Sequence, residues 1–176
     1  MPKKVKRYGF LSSVPKVDRP FIRRVLANPR GWASAGYAFE SVGRNRAQKK
    51  VDFVIDVAEE DDLLRRFPHD DLRGLSVTSI HRGASPSHIY LNRTNWNRVP
   101  ANFEGSLDEY RAYLIAHEVG HAIGFDHEEP LPGGGDERTP CAVMYQQTRG
   151  TRGVCSPNSE IERERRPKKM ARPRIL

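Results

Sequence analysis

One helix near the middle of the sequence constrains the fold more than any other feature, because it is apolar on nearly every side. The string Ser106-Leu107-Asp108-Glu109 matches a capping box, which predicts a helix start, and Gly124 is a typical helix end. The apolar side chains on its different sides are Leu114, Ile115, Val119, Ala122 and Ile123. Such a helix is normally buried at the centre of a domain, so His117 and His121 within it need an explanation.

The two histidines belong to a longer string, residues 117–128, which contains the pattern H-E-x-x-H-x-x-G-x-x-H. His117 and His121 are four residues apart, so they lie on one helix face and can present ring nitrogens to one ion. Glu118 lies about 100° around the helix, where it can reach a water molecule on the metal instead of the metal itself. Gly124 permits the left-handed conformation that reverses the chain and brings in His127 as a third ligand.

Three neutral imidazoles leave a fourth tetrahedral position open, which is typical of a catalytic rather than a structural zinc site. We therefore predict one catalytic Zn²⁺ held by His117, His121 and His127, with Glu118 as the catalytic carboxylate. The ligand set would also accept other divalent ions. In the alternative interpretation the histidines are hydrogen-bonded core residues and Glu118 is a solvated charge, but a buried carboxylate beside two histidines is costly without a metal or a partner.

These residues resemble the metzincin clan of zinc metallopeptidases, and the string fits the fuller astacin-type signature through Phe125 and Glu128. Metzincins have a Met-turn whose methionine forms a hydrophobic floor beneath the metal, and Met144 in Cys-Ala-Val-Met-Tyr matches it. The resemblance also offers Tyr145 for an oxyanion-stabilising or metal-ligating role. Astacins place that tyrosine two residues after the methionine, whereas Tyr145 follows Met144 directly.

The resemblance implies zinc-dependent hydrolysis of peptide bonds in protein or peptide substrates, with Glu118 as the general base. In metzincins the substrate lies extended along an upper edge strand of the sheet, for which residues 74–80 and 87–92 are the candidates. The loop after the Met-turn, residues 146–153, would line the pocket for the residue after the cut bond. Arg149 or Arg152 there would favour an acidic side chain, although solvated loop arginines are commoner.

The rest of the sequence predicts the other elements of an α+β domain. Residues rich in Val, Ile, Phe, Tyr and Thr between turn formers predict strands at 37–43, 51–57, 74–80 and 87–92, with 10–14 as a further candidate. Helices are predicted at about 19–28 and 59–67. By resemblance, the fold is a metzincin-like zincin domain with a twisted mixed β-sheet, a backing helix (about 19–28), the active-site helix (about 107–123) and a small irregular C-terminal subdomain.

The formal net charge of +8 is concentrated at the two ends of the 176 residues. Residues 1–10 contain four basic residues and no acidic one, and residues 157–176 contain seven basic residues against three acidic ones. We therefore predict a basic tail at 1–10, a zinc metallopeptidase domain at 11–156 and a disordered basic tail at 157–176. The tails either hold localisation signals, such as Lys3-Lys4-Val5-Lys6, or attract nucleic acid nonspecifically.

The two cysteines, Cys141 and Cys155, bracket the Met-turn and the loop after it. We favour a disulfide between them slightly over two free thiols, and such a loop closure contributes about 3 kcal/mol in the chain-entropy model. The remaining histidines, at positions 69, 81 and 88, have no ligand spacing.

No apolar run approaches the roughly 18 to 20 residues of a membrane span, and no secretory signal is visible. We expect a monomer without a membrane partner. The basic ends slightly favour an intracellular setting, nuclear or virion-associated, which is in tension with a disulfide. Two alternatives to an endopeptidase remain, a catalytically silent zinc-binding module and a nucleoprotein-targeted protease with nucleic-acid-binding tails.

Overall fold

One mixed sheet of five strands organises the protein, whose computed structural model describes residues 3–43, 50–68, 70, 72–81, 85–129, 138–161 and 167–170. The strands are β1 Lys4–Phe10, β2 Tyr37–Ser41, β3 Phe53–Ala58, β4 Val77–Ser79 and β5 Ser87–Asn92. Their order across the sheet is β2-β1-β3-β5-β4. The first four strands of this order are parallel, and β4 pairs antiparallel with β5 at the edge.

Four α-helices occur within the described residues, namely α1 Arg19–Leu26, α2 Glu60–Arg66, α3 Arg93–Asn97 and α4 Leu107–Ala122. Helix α4 packs against α1, β4 and β5, and every residue from Tyr113 to Gly120 is buried. The predicted capping box is present, because Ser106 and Glu109 exchange side-chain-to-amide hydrogen bonds. The α+β prediction is confirmed. In the described part of the chain, no helix combines the length and apolar character that crossing a bilayer requires.

Each predicted helix and the strands predicted at 37–43, 51–57, 74–80 and 87–92 have an observed counterpart, but one strand is shorter and one helix was not predicted. The strand predicted at 74–80 is shortened to Val77–Ser79, because hydrogen bonds hold the preceding loop in another shape. The Gly74 amide donates to Glu60 Oε2 at 2.8 Å, and the Ser76 hydroxyl accepts from the Asn92 amide at 2.9 Å. Helix α3 was not predicted, although Asn92 caps it by accepting from the Thr94 and Asn95 amides.

The N-terminal segment is part of the sheet, so the tail predicted at 1–10 is wrong for Lys4–Phe10. Strand β1 lies between β2 and β3, and its residues Tyr8 and Phe10 are buried in the main core. The strand considered at 10–14 is wrong too, because β1 ends at Phe10 and a turn follows.

The charges of β1 have partners on neighbouring segments. Lys6 Nζ lies 2.9 Å from Asp52 Oδ1, and Arg7 Nε lies 3.4 Å from Glu40 Oε2. Counting the charges of residues 1–10 alone omits the acidic residues that pair with them in the folded sheet. For this reason the sequence predicted a basic tail instead of a strand.

The described parts of the predicted C-terminal tail also pack against the body. Ile161 is buried in the main core, and its amide donates to the Arg30 carbonyl at 2.8 Å. Pro167 is buried, and residues 167–170 lie along residues 124–126. The prediction of disorder is therefore wrong for 157–161 and 167–170, because apolar residues interrupt the basic run. Residues 162–166 and 171–176 lie outside the described part of the chain.

Candidate metal centre

Helix α4 presents two histidines on one face, each oriented by a backbone carbonyl. His117 Nδ1 lies 2.9 Å from the Val143 carbonyl oxygen, and His121 Nδ1 lies 2.9 Å from that of Phe125. Because a carbonyl oxygen can only accept a hydrogen bond, these contacts assign the proton to Nδ1 in both rings. The lone pair of each neutral ring is therefore on Nε2, which is the tautomer that binds a metal through that atom.

Gly124 ends the helix and brings the third histidine to the same point. Its φ of +93° lies in the region that glycine adopts without strain. His121 Nε2 lies 3.2 Å from His117 Nε2 and 3.1 Å from His127 Nε2. The ligand atoms of all three residues lie within 4.8 Å of one another. The predicted convergence of three imidazoles is confirmed.

The donor set fits a divalent cation. Two lone pairs facing each other at this separation repel unless a cation lies between them. Zn–N bonds of 2.0–2.1 Å at tetrahedral angles put neighbouring nitrogens about 3.3 Å apart, close to the 3.2 and 3.1 Å in this site. Burial, together with the two neighbouring rings, holds the pKa of His117 well below its ordinary value. The ring is therefore neutral at pH 7 and able to bind a metal.

Glu118 is a buried carboxylate beside these ligands. Its Oε2 accepts a hydrogen bond of 2.6 Å from the hydroxyl of Thr78 on β4, and its side chain lines the same cavity as the histidines. Burial raises the pKa of Glu118 to about 7, although the Thr78 hydrogen bond opposes this rise. A carboxyl group with that pKa can both accept and release a proton near neutral pH.

Met144 packs directly against helix α4 at Gly120, which lies between the first two histidines in the sequence. It is fully buried, and a Cβ added at Gly120 would overlap its sulfur and lie 2.6 Å from the Trp32 ring. The Met144 carbonyl accepts from the Glu128 amide at 3.0 Å. The turn that contains Met144 therefore contacts both the helix and the segment that follows His127.

The loop after Met144 is fixed by a tyrosine of helix α4. The buried hydroxyl of Tyr113 donates to the Tyr145 carbonyl at 3.1 Å and accepts from the Gln147 amide at 2.9 Å. Tyr113 lines the cavity beside the histidines, whereas Tyr145 is not among the described residues that line it. The structure therefore brings Tyr113 to the cavity wall and gives no support to an oxyanion or ligand role for Tyr145.

A cavity of about 330 Å³ lies beside the three histidines and Glu118, all of which line it. Strand β4 contributes Val77 and Thr78 to one wall. Met170, from the predicted C-terminal tail, also lines the cavity. The site thus combines converging ligands, a carboxylate and space for a bound molecule.

The two loop arginines differ in where the structure places them. Arg149 is exposed and lines the cavity. Arg152 forms an ion pair with Glu104, with Nε 2.7 Å from Oε1, and it is not among the described residues of the cavity wall. The prediction that Arg152 lines this pocket is therefore not supported.

Cys141 and Cys155 form a disulfide, with their Cα atoms 5.1 Å apart, so the favoured prediction is confirmed. The other histidines stand apart from the metal centre. His88 lies beside Asp56 at 3.4 Å, His81 lies 3.5 Å from the Ser79 hydroxyl, and His69 is outside the described residues. In the described part of the chain, the triad is the one group of three His, Cys, Asp or Glu residues able to hold an ion.

Comparison of the sequence with protein families identifies the family of this chain. Residues 16–165 match the family described as "Protein of unknown function (DUF3152)". The chain belongs to this family. A search of curated proteins finds no match to the sequence. The matched residues of this DUF3152 member include the three histidines, Glu118 and Met144, whereas residues 167–170 lie beyond them.

Proposed function

We propose that this DUF3152 member is a zinc-dependent endopeptidase of the metzincin type. The proposal rests on one arrangement, three converging imidazoles beside the buried Glu118 at the wall of a cavity. A structural zinc site usually has four protein ligands, whereas a catalytic site has three and keeps one position for water or substrate. Three histidines without a fourth protein ligand in the described residues therefore favour catalysis.

The chain's own residues supply the proton transfers of peptide hydrolysis. Bound zinc would supply a Lewis acid that polarises the scissile carbonyl and lowers the pKa of water. Glu118 accepts the proton of the attacking water and delivers it to the leaving amine. A pKa near 7 suits a group that must do both, and the Thr78 hydroxyl holds one carboxylate oxygen in place.

Strand β4 is the surface best suited to an extended peptide. It lines the cavity, and among the described strands it has a neighbour on one side only, because it lies at the edge of the sheet. Strand β5, the other candidate, is paired on both sides by β3 and β4. An extended substrate would therefore add to β4 by main-chain hydrogen bonds, and Arg149 would favour an acidic side chain after the cut bond.

The disulfide supports an oxidising compartment over the intracellular setting that the charge pattern favours. The nucleoprotein-targeted alternative loses support, because Lys4–Phe10 belongs to the sheet rather than to a free basic tail. The catalytically silent zinc-binding module stays as the competing hypothesis, and the experiment below separates it from an endopeptidase.

The decisive experiment combines elemental analysis with cleavage of casein and a peptide library. We expect one zinc per chain and cleavage by the wild type. Glu118→Gln should keep the zinc and lose cleavage, because it removes the base and no ligand. Glu40→Gln on β2 is the matched control and should behave as the wild type, because Glu40 contacts Arg7 and is not among the described residues that line the cavity. Zinc without cleavage in every protein would favour the silent module.

A further inference from the structure

The segment of residues 167–170, here called the C-terminal brace, runs along the segment that joins helix α4 to His127. The Asp126 amide donates to the Lys168 carbonyl, and the Met170 amide donates to the Gly124 carbonyl, each at 2.9 Å. Phe125 and Lys169 form an antiparallel bridge between these two hydrogen bonds. Residues 124–126 are therefore held on one side by helix α4 and on the other by the brace.

Side chains reinforce this pairing. Lys169 Nζ lies 4.6 Å from the centre of the Phe125 ring and donates to the Tyr37 hydroxyl at 2.9 Å. The buried Phe125 ring stacks on Trp32 at a centroid separation of 4.6 Å. A cation over an aromatic face is attracted by the ring quadrupole. The brace is thus attached to the core through Phe125 and Tyr37.

The braced segment orients the ring of His121 and holds the backbone that leads into His127. The Phe125 carbonyl accepts from His121 Nδ1 at 2.9 Å, so its position sets the direction of the His121 ring. His127 follows Asp126 directly, and its amide donates to Asp126 Oδ1 at 2.9 Å. An outer partner such as the Phe125 carbonyl fixes the orientation and tautomer of the ring it contacts, and its loss typically lowers metal affinity 10-fold to 100-fold.

The same brace delivers a side chain to the cavity. Met170 lines this cavity, and so do the apolar residues Leu72, Val77 and Ile80. A flexible thioether chain adapts to apolar ligand groups of different shapes. Met170 therefore borders the space in which the proposed function puts the substrate.

We propose that the C-terminal brace is a positioning element for the metal centre, and that Met170 is a specificity-determining residue for apolar side chains of the substrate. The first part rests on the three histidines binding a metal, and the second part rests on the proposed function. A segment outside the family-matched residues would then complete the site that those residues build.

The test of the first part compares Met170→Pro with Met170→Ala in the full chain. Proline removes the amide that donates to Gly124, whereas alanine keeps it and removes the same side chain. Zinc affinity is measured by competition with a chelating dye, and His127→Ala defines the effect of losing a ligand. We expect Met170→Pro to bind zinc at least 10-fold more weakly than Met170→Ala. Equal affinities would overturn the positioning role.

A second pair of variants keeps the test valid if Met170→Pro misfolds. Circular dichroism of the metal-free proteins detects such misfolding. Lys169→Ala removes the contacts with Phe125 and Tyr37, and Lys168→Ala removes an exposed neighbouring charge. We expect weaker zinc binding for Lys169→Ala only. If Met170→Pro is misfolded, equal zinc affinities of Lys169→Ala and Lys168→Ala would overturn the positioning role.

The specificity role is tested by profiling Met170→Ala and the wild type on a peptide library. At one subsite, the wild type should prefer leucine or phenylalanine over alanine. In Met170→Ala, we expect the ratio of kcat/KM for leucine or phenylalanine peptides to that for alanine peptides to be about 10-fold lower than in the wild type. An unchanged profile would overturn this role. If the wild type binds zinc but cleaves no peptide, the proposed function and the specificity role are both wrong. The zinc affinities of the variants still test the positioning role. A wild type that binds no zinc overturns all three.

Discussion

Thr78 on the edge strand β4 donates a hydrogen bond of 2.6 Å to Oε2 of Glu118 on helix α4. The same hydroxyl lies 3.1 Å from the backbone carbonyl oxygen of Glu118. The strand proposed to receive the substrate and the carboxylate proposed to move the proton are therefore joined by one side chain. A shift of β4 on substrate binding would be transmitted to Glu118 through this contact.

Replacing Thr78 by valine should lower kcat for peptide hydrolysis by about 10-fold, because valine has the shape of threonine without its hydroxyl and leaves the carboxylate free to rotate. Zinc affinity should stay unchanged, since Thr78 does not contact the histidines in the described structure. Thr78→Ser is the matched control: it keeps the hydroxyl, so its kcat should equal that of the wild type. A Thr78→Val variant with wild-type kcat would show that the hydrogen bond has no positioning role.

Glu118 should make the metal-free protein less stable as the pH rises. Burial raises the pKa of Glu118 from 4.5 to about 7 in the folded protein, so the folded state binds this proton more tightly than the unfolded chain. The resulting stabilisation is complete below pH 4.5 and is lost as the pH rises to about 7. Over that interval the loss is about 3 kcal/mol in order of magnitude.

The measurement is urea unfolding of wild type and Glu118→Gln in the presence of a chelator, at pH 4 and pH 8. Glutamine imitates the protonated carboxyl group at both values. We expect similar free energies of unfolding at pH 4 and a more stable variant at pH 8. His117 titrates in both proteins, so its effect cancels in the comparison. A difference that does not change with pH would contradict the raised pKa.

The candidate ligands were predictable from sequence because their geometry is local. Two histidines four residues apart share a helix face whatever the rest of the fold does. Gly124, with φ of +93°, reverses the chain within a few residues of His121. The capping box at Ser106 fixed the start of the helix in the same local way.

The partners of these residues were not predictable, because they come from distant parts of the chain. Thr78 is 40 positions from Glu118, and the brace lies beyond the last family-matched residue. Strand β1 was missed for a related reason, since Asp52 and Glu40 neutralise its charges only in the folded sheet. Short polar or basic stretches carry no periodic signal that would reveal such pairings.

Reduction of the disulfide should destabilise the protein by about 3 kcal/mol, the contribution that the chain-entropy model gives for closing the loop between Cys141 and Cys155. The closed loop contains Val143, whose carbonyl orients His117, so zinc affinity should fall as well. The measurements are the melting temperature and the zinc affinity with and without reductant. The double variant Cys141→Ala with Cys155→Ala is the control, and reductant should not change either quantity in it. A wild type that responds no more than this control would contradict the stabilising role of the bridge.

Any side chain added at Gly120 should destabilise the protein while Met144 is present. A Cβ at this position would overlap the Met144 sulfur and lie 2.6 Å from the Trp32 ring, and overpacking a core of this kind typically costs about 1–3 kcal/mol. We expect Gly120→Ala to lower the free energy of unfolding by that amount. Gly43→Ala is the matched control, because nothing lies within 4 Å of a Cβ added there.

The variant Met144→Ala identifies the cause of this destabilisation. It removes the sulfur that the Gly120→Ala methyl group would overlap, so the double variant should be less destabilised than the sum of the two single variants. Contacting residues in such cycles couple by about 0.5–3 kcal/mol. A coupling energy near zero would mean that Met144 does not limit the space at Gly120, and the close packing of this turn against α4 at Gly120 would have to be abandoned.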